Sequence, residues 1–214
     1  MNIHAEAFEF ERYINKLSQA LGHRDRHAGF ADYSRGLMLP IERKSVEPLA
    51  AHTDPLHVSA KHQSLHHLVA QSEWSDKAVL ACVRNWVMPQ LGRKSKFYWI
   101  VDDTGFPKKG KHSVGVARQY CGQLGKQDNC QVAVSLSLAS ERGSVPIDWR
   151  LYLPEAWAKD RRRRKKSGVP TVVKFLTKPQ IALEQIRAAK AAGLPSALCW
   201  RTQGMAMKRR GVKR

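Results

Sequence analysis

One short stretch, from Tyr98 to Gly110, constrains the fold of this 214-residue chain more than any other. Tyr98-Trp99-Ile100-Val101 is aromatic and β-branched, as in a buried strand, and it runs into Asp102 and Asp103, then turn formers and lysines. A carboxylate held at the end of a buried strand can bind a hard cation. An Asp before Thr-Gly more often accepts hydrogen bonds within a turn. The stretch alone leaves both roles open.

The charge of the chain points to a polyanionic partner. It has 37 Lys and Arg against 18 Asp and Glu, a net charge of +19, so nucleic acid is the first candidate. No stretch approaches the length of a membrane-spanning helix and the N-terminus lacks the pattern of a secretory signal, so we expect a cytoplasmic protein with no membrane partner. The cysteines form no Cys-x-x-Cys pair, which favours reduced core thiols over a zinc site.

The first part of the chain, residues 1–92, is predicted to be helical. Apolar residues at helical spacing predict helices over 8–21, 30–39, 58–69 and 75–87. Helices with interleaved Arg, Lys and His are common DNA-docking elements, but these helices could equally do no more than pack on the next domain. The basic, polar segment 91–96 is the expected boundary.

The rest of the chain alternates strand and helix signals. After the first strand, residues 105–129 are expected to form a long basic loop. Alternating apolar residues predict half-buried strands over 131–138 and 147–153. Thr177 and Gln180 stand at capping-box spacing and start a predicted helix that stops at Gly193, and residues 196–200 are predicted to begin another strand.

A run of six cations, Arg161-Arg162-Arg163-Arg164-Lys165-Lys166, follows Asp160. Such a run is usually a solvated, mobile face. On a chain this basic we favour contacts with phosphates, which position a nucleic acid without reading its sequence.

The order strand, strand, strand, helix, strand is how a ribonuclease-H-like nuclease core begins. Residues 102–125, 129–135 and 148–155, with 42–48 and 62–67, closely resemble the DDE-superfamily transposases of bacterial insertion sequences. The resemblance implies an α+β fold: an N-terminal helical region, 1–92, followed over 97–200 by an incomplete ribonuclease-H-like domain with three antiparallel strands, a helix and the start of a fourth strand.

The resemblance also implies a chemistry. In that family three carboxylates, Asp, Asp and Glu, bind two Mg²⁺ or Mn²⁺ ions and cut and join DNA strands. The first Asp of the family motif precedes Thr and therefore maps onto Asp103. Asp102 is expected to point to the opposite face of the strand and is kept as a second candidate metal ligand.

The implied partners are DNA, both the ends of the element and its target, and a second copy of the chain or an intact transposase. The candidate DNA-binding residues are all cationic: Lys108, Lys109, Lys111, Arg118, Arg161, Arg162, Arg163, Arg164, Lys165 and Lys166.

The chain departs from the family where the second acid should follow the fourth strand. The family pattern resembles Leu-Ala-Asp-Ala-Gly-Tyr-Gly, but this chain reads Leu-Cys-Trp-Arg-Thr-Gln-Gly-Met-Ala over 198–206. If suitable codons are chosen among the synonyms for these residues, one base inserted after the codon of Leu198 changes the reading to Leu-Val-Leu-Ala-Asp-Ala-Gly-Tyr-Gly. We therefore expect a frameshift, with residues 201–214 as an out-of-frame basic tail.

Two functions follow from this departure. The chain is either an inactive, truncated form of a transposase or a DNA-binding remnant that competes with or inhibits the intact enzyme. A general RNA-binding role is disfavoured because no RNA-stacking motif is present.

Overall fold

The computed structural model describes residues 3–92, 95–195 and 198–201, with the backbone alone for residue 3 and for 198–201. The described chain separates into two compact units, with the division after Trp86. No helix among these residues has both the length and the apolar character needed to cross a membrane.

Five α-helices are described before the division or across it: α1 Ile3–Gln19, α2 Asp25–Met38, α3 Val46–Thr53, α4 Val58–Ala70 and α5 Asp76–Val87. Four of them confirm the helices expected from apolar spacing. Helix α3 was not predicted, because it is short and Pro48 interrupts its apolar pattern, although proline is tolerated in the first turn of a helix. Leu49 and Ala50 of α3 nevertheless join Leu65 in a buried cluster.

The second unit begins with the 3₁₀ helix Met88–Leu91 and is built on a sheet. Its strands are β1 Tyr98–Pro107, β2 Ala117–Cys121, β3 Lys126–Ser140, β4 Gly143–Leu151 and β5 Leu198–Arg201. Strand β3 pairs antiparallel with β1, β2 and β4, and β5 pairs parallel with β1 on its other side. This arrangement confirms the predicted fold class, helices followed by an incomplete ribonuclease-H-like sheet.

The expected long loop over 105–129 is wrong in extent. Strand β1 continues to Pro107 and β2 follows, so the irregular connection shrinks to residues 108–116, and the short 3₁₀ helix Gly122–Leu124 joins β2 to β3. The backbone of β1 at Gly105 passes close to Cys121, the last residue of β2. A side chain at position 105 would crowd it, since a Cβ there would lie 3.0 Å from Cys121 Cα. Cys121 and Cys130 are buried there, as the composition predicts for core thiols.

Three helices follow the sheet strands β1 to β4: α6 Glu155–Lys159, α7 Arg161–Lys166 and α8 Lys178–Ala191. Helix α8 begins at the predicted capping box. Its buried Gln185 donates from Nε2 to the carbonyl oxygen of Val134, at 3.0 Å, and so ties the helix to β3. The cationic run forms helix α7, and the Asp160 carboxylate caps it by accepting from the Arg163 N–H at 2.8 Å.

Candidate acid site and nucleic-acid interface

Asp103 lies on β1, the strand that stands between β3 and β5, and its side chain meets the first residue of helix α8. In the antiparallel register it stands opposite Val134, whose carbonyl oxygen accepts from Gln185. Lys178 precedes Gln185 by seven residues, about two turns, and so lies on the same face of α8. The Lys178 Nζ donates to Asp103 Oδ2, forming an ion pair.

The surroundings of this ion pair explain why the two groups hold each other. The side chains of Lys178 and Asp103 are only 24% and 16% exposed. A cation in the first turn of a helix faces the positive end of the helix dipole, which disfavours it. The Asp103 carboxylate offsets that penalty, and the Tyr152 ring adds a cation–π contact with its centroid 5.6 Å from Nζ. The site is therefore close to electrically neutral.

Asp102 does not join Asp103 at this site. Successive side chains of a strand alternate between faces, and Asp102 stands opposite Ser135 in the register with β3. Across the described parts of the chain, no three His, Cys, Asp or Glu residues form a group that could hold a metal ion. Because two hard cations need several oxygen ligands, the expected Mg²⁺ or Mn²⁺ pair does not fit the residues described.

Strand β5 ends beside the part of β1 that carries Asp103. Its last residue, Arg201, pairs with Val101, two positions before Asp103. The resemblance places the second acid directly after this strand. Residues 202–214 contain no Asp or Glu. They make up all of the expected out-of-frame tail except Arg201, and they lie outside the described residues.

Two arginines of the cationic run, Arg163 and Arg164, have their guanidinium groups engaged inside the second unit. The guanidinium of Arg163 lies 3.7 Å from the ring centroid of Trp157, and its Nη2 donates to the carbonyl oxygen of Lys111 at 2.6 Å. Arg164 donates to the carbonyl oxygens of Ala158, Pro170 and Val173, at 3.2, 2.7 and 2.7 Å.

Trp157 is the platform for these contacts. It is 1% exposed and donates from Nε1 to the carbonyl oxygen of Val116 at 2.8 Å. The segment that carries Val116 passes close to the end of β4 at Gly115. Glycine is required there because φ is +77° and because a Cβ would lie only 2.8 Å from the Tyr152 carbonyl oxygen. The 108–116 connection is therefore fixed against α6 and α7.

The other four residues of the run are exposed, and so are the three lysines of the 108–116 connection. The bond from Arg163 to the Lys111 carbonyl joins segments 52 residues apart in sequence, so the two basic segments lie side by side. The following residues are called the cationic surface below: Lys108, Lys109, Lys111, Arg161, Arg162, Lys165 and Lys166.

Arg118, also predicted to contact DNA, lies at an exposed position of β2, opposite Asn129 of β3. Its charge is partly balanced by Asp128. The Asn129 N–H has the largest effect in lowering the pKa of Asp128, Lys126 follows, and Arg118 adds a smaller effect.

Three residues that shape these sites were not predicted from the sequence: Lys178, Gln185 and Trp157. The capping box marks Lys178 as the first residue of a helix, but its contact with Asp103 joins residues 75 positions apart. Trp157 stands four residues before Arg161, the first residue of the cationic run, and this is the one local sign of a stacking partner for an arginine.

Comparisons of the sequence with known proteins identify the family of the chain. The model of the DDE superfamily endonucleases matches residues 16–199, and the chain therefore belongs to that family. Over 131 residues, 61% of the chain, it is 34% identical to a probable transposase for insertion sequence element IS701 of Microchaete diplosiphon. The chain spans 31% of the length of that relative. The expected resemblance to insertion-sequence DDE transposases is confirmed.

Proposed function

We propose that this chain acts in the DNA transposition of an insertion sequence, and that by itself it binds DNA without cutting it. The observation that carries the proposal is the pairing of an exposed cationic surface with an acid site that is already neutralised by Lys178. A chain that binds without cutting competes with an intact transposase for the same DNA.

Binding through this surface is electrostatic. Each Lys or Arg that neutralises a phosphate releases counterions from the DNA, so affinity falls steeply as salt rises. A protein with six to ten phosphate contacts loses roughly 10³- to 10⁵-fold in affinity between about 50 and 200 mM salt. The chain should therefore bind duplex DNA with a strong salt dependence and little sequence preference.

A second candidate function is metal-dependent DNA cleavage with Asp103 as one metal ligand. It is favoured by the position of Asp103 beside the end of β5, where the family resemblance expects the acids to meet. Divalent ions held there by Asp103 and further ligands would activate a water or 3′-hydroxyl and would stabilise the leaving oxygen. Since no three donors gather among the described residues, this function requires further ligands from outside them, for which a second copy or an intact transposase is one source.

Supercoiled plasmid DNA tests both candidates in one gel. We expect the wild-type chain and Asp103→Ala both to retard the plasmid at low salt, and neither to nick it in Mg²⁺ or Mn²⁺. Nicking by the wild type that Asp103→Ala lacks would establish the cleavage function instead. A plasmid that runs unretarded at every salt concentration would overturn DNA binding altogether.

A further inference from the structure

The helical turn of α7 divides its six cations into two sets. At about 100° per residue, Arg161, Arg162, Lys165 and Lys166 fall within an arc of about 140°, and the other two point away from it. The exposure of the side chains follows the same division, with Arg163 and Arg164 half-buried. One face of α7 is therefore structural, and the other is presented to solvent.

The solvent face has no charge partner within the part of the chain that the structure describes. No ion pair joins its four cations to an acid there, and Asp160, the adjacent acid in sequence, is used to cap the helix. Like charges at i and i+4 destabilise a helix by about 0.2–0.5 kcal/mol per pair, and this face holds two such pairs, Arg161/Lys165 and Arg162/Lys166. A bound polyanion removes that repulsion.

The second basic segment is held rigidly next to this face. Asn129 donates from Nδ2 to the carbonyl oxygens of Lys108 and Gly110, at 2.5 and 2.9 Å, and Arg163 fixes the Lys111 carbonyl. These bonds occupy backbone groups and leave the lysine side chains exposed. A preorganised array of cations binds a polyanion at a lower entropic cost than a mobile run does.

We propose that the cationic surface is a binding site for the sugar-phosphate backbone of duplex DNA, and that it holds the duplex beside Asp103. This inference rests on the proposed DNA-binding function. Lys108 lies five positions after Asp103 along an extended chain, a span of at most about 17 Å. That distance corresponds to about five base pairs at 3.4 Å each, so one duplex can meet both places.

The chemistry of the surface favours DNA over a membrane. A helix that lies on a bilayer needs an apolar face beside its basic one, and α7 consists of arginine and lysine alone. Guanidinium and ammonium groups form strong, charge-assisted hydrogen bonds with phosphate oxygens. Phosphates are therefore the groups that this surface recognises.

The test compares two full-length variants that each lose four positive charges. In the first, Arg161, Arg162, Lys165 and Lys166 are changed to Ala. The control changes four exposed cations elsewhere in the second unit to Ala: Lys96, Arg142, Arg187 and Lys190. Fluorescence anisotropy with a labelled DNA duplex of arbitrary sequence is measured at several salt concentrations, and circular dichroism checks that both variants are folded.

We expect the α7 variant to bind at least tenfold more weakly than the control variant. The slope of log K against log salt should also be smaller by roughly 3.6, which is about 0.9 for each of four lost phosphate contacts. A third variant changes Lys108, Lys109 and Lys111 to Ala and leaves α7 intact. It should also bind DNA more weakly and with a smaller slope of log K against log salt.

Three results overturn the inference. Equal affinity of the α7 and control variants at every salt concentration shows that the duplex binds elsewhere, while DNA binding itself stands. Tighter binding of an RNA strand of the same length, lost in the α7 variant, assigns the surface to RNA. Absence of any binding by the wild type removes the proposed function together with the inference.

Discussion

The acid site and the cationic surface belong to the same unit but treat charge in opposite ways. At the acid site, Lys178 and Asp103 are mostly buried and neutralise each other. On the cationic surface, exposed lysines and arginines stand together with no acid pairing them among the residues described. Burial forces a charge to find its partner within the protein, whereas exposure leaves it available for a partner from outside. This difference in charge pairing is the reason why we propose that the chain holds DNA and does not cut it.

Removing the platform of the cationic surface should produce the largest effect. Trp157→Ala deletes a buried ring, its bond to the Val116 carbonyl and the stacking partner of Arg163, and we expect a loss of about 3–5 kcal/mol in the free energy of unfolding. Urea denaturation measures it. Trp149→Ala is the matched control, since Trp149 is 37% exposed on β4. Equal losses for the two variants would contradict the role of Trp157 as a platform.

Breaking the acid site should have the next largest effect. Asp103→Ala leaves the Lys178 ammonium half-buried without its partner, and Lys178→Met leaves the carboxylate alone, so each should cost about 1–3 kcal/mol in stability. The double variant should be destabilised by less than the sum of the singles, with a coupling of at least about 0.5 kcal/mol. Thermal or urea unfolding of all four proteins measures the coupling, and strictly additive losses would show that the pair contributes nothing.

The two faces of α7 can be compared with a change that keeps the charge. Arg164→Lys cannot reproduce bonds to the carbonyl oxygens of Ala158, Pro170 and Val173, so we expect a loss of about 1 kcal/mol in stability. Arg161→Lys, on the solvent face, should leave stability and the salt slope of DNA binding unchanged. A larger loss for Arg161→Lys than for Arg164→Lys in urea denaturation would reverse the assignment of the faces.

Much of the fold could be predicted because its signals are local. The apolar run of β1, the alternation in β3 and β4 and the capping box of α8 are each contained within a few residues. Strand β2 was missed because it carries little apolar alternation, being exposed at Arg118 and Tyr120. It exists because β3 extends to Lys126 and offers it a partner.

The sites were less predictable because their contacts are distant in sequence. Asp103 could be selected from the family motif, but its partner is 75 residues further along the chain. The cationic run was visible as a run, yet its division into structural and exposed residues depends on a helix that the composition of the run does not signal. The link between Arg163 and the Lys111 carbonyl could not be read from either segment alone.

The most direct test of the central claim compares the DNA affinity of the wild type, Asp103→Asn and the α7 variant in Mg²⁺, by anisotropy at one salt concentration. If DNA is held by the cationic surface and Asp103 is held by Lys178, Asp103→Asn should bind at least as tightly as the wild type, and the α7 variant at least tenfold more weakly. A loss of affinity in Asp103→Asn that matches the loss in the α7 variant, and that disappears when Mg²⁺ is removed, would show that a metal at Asp103 holds the DNA and would contradict the account.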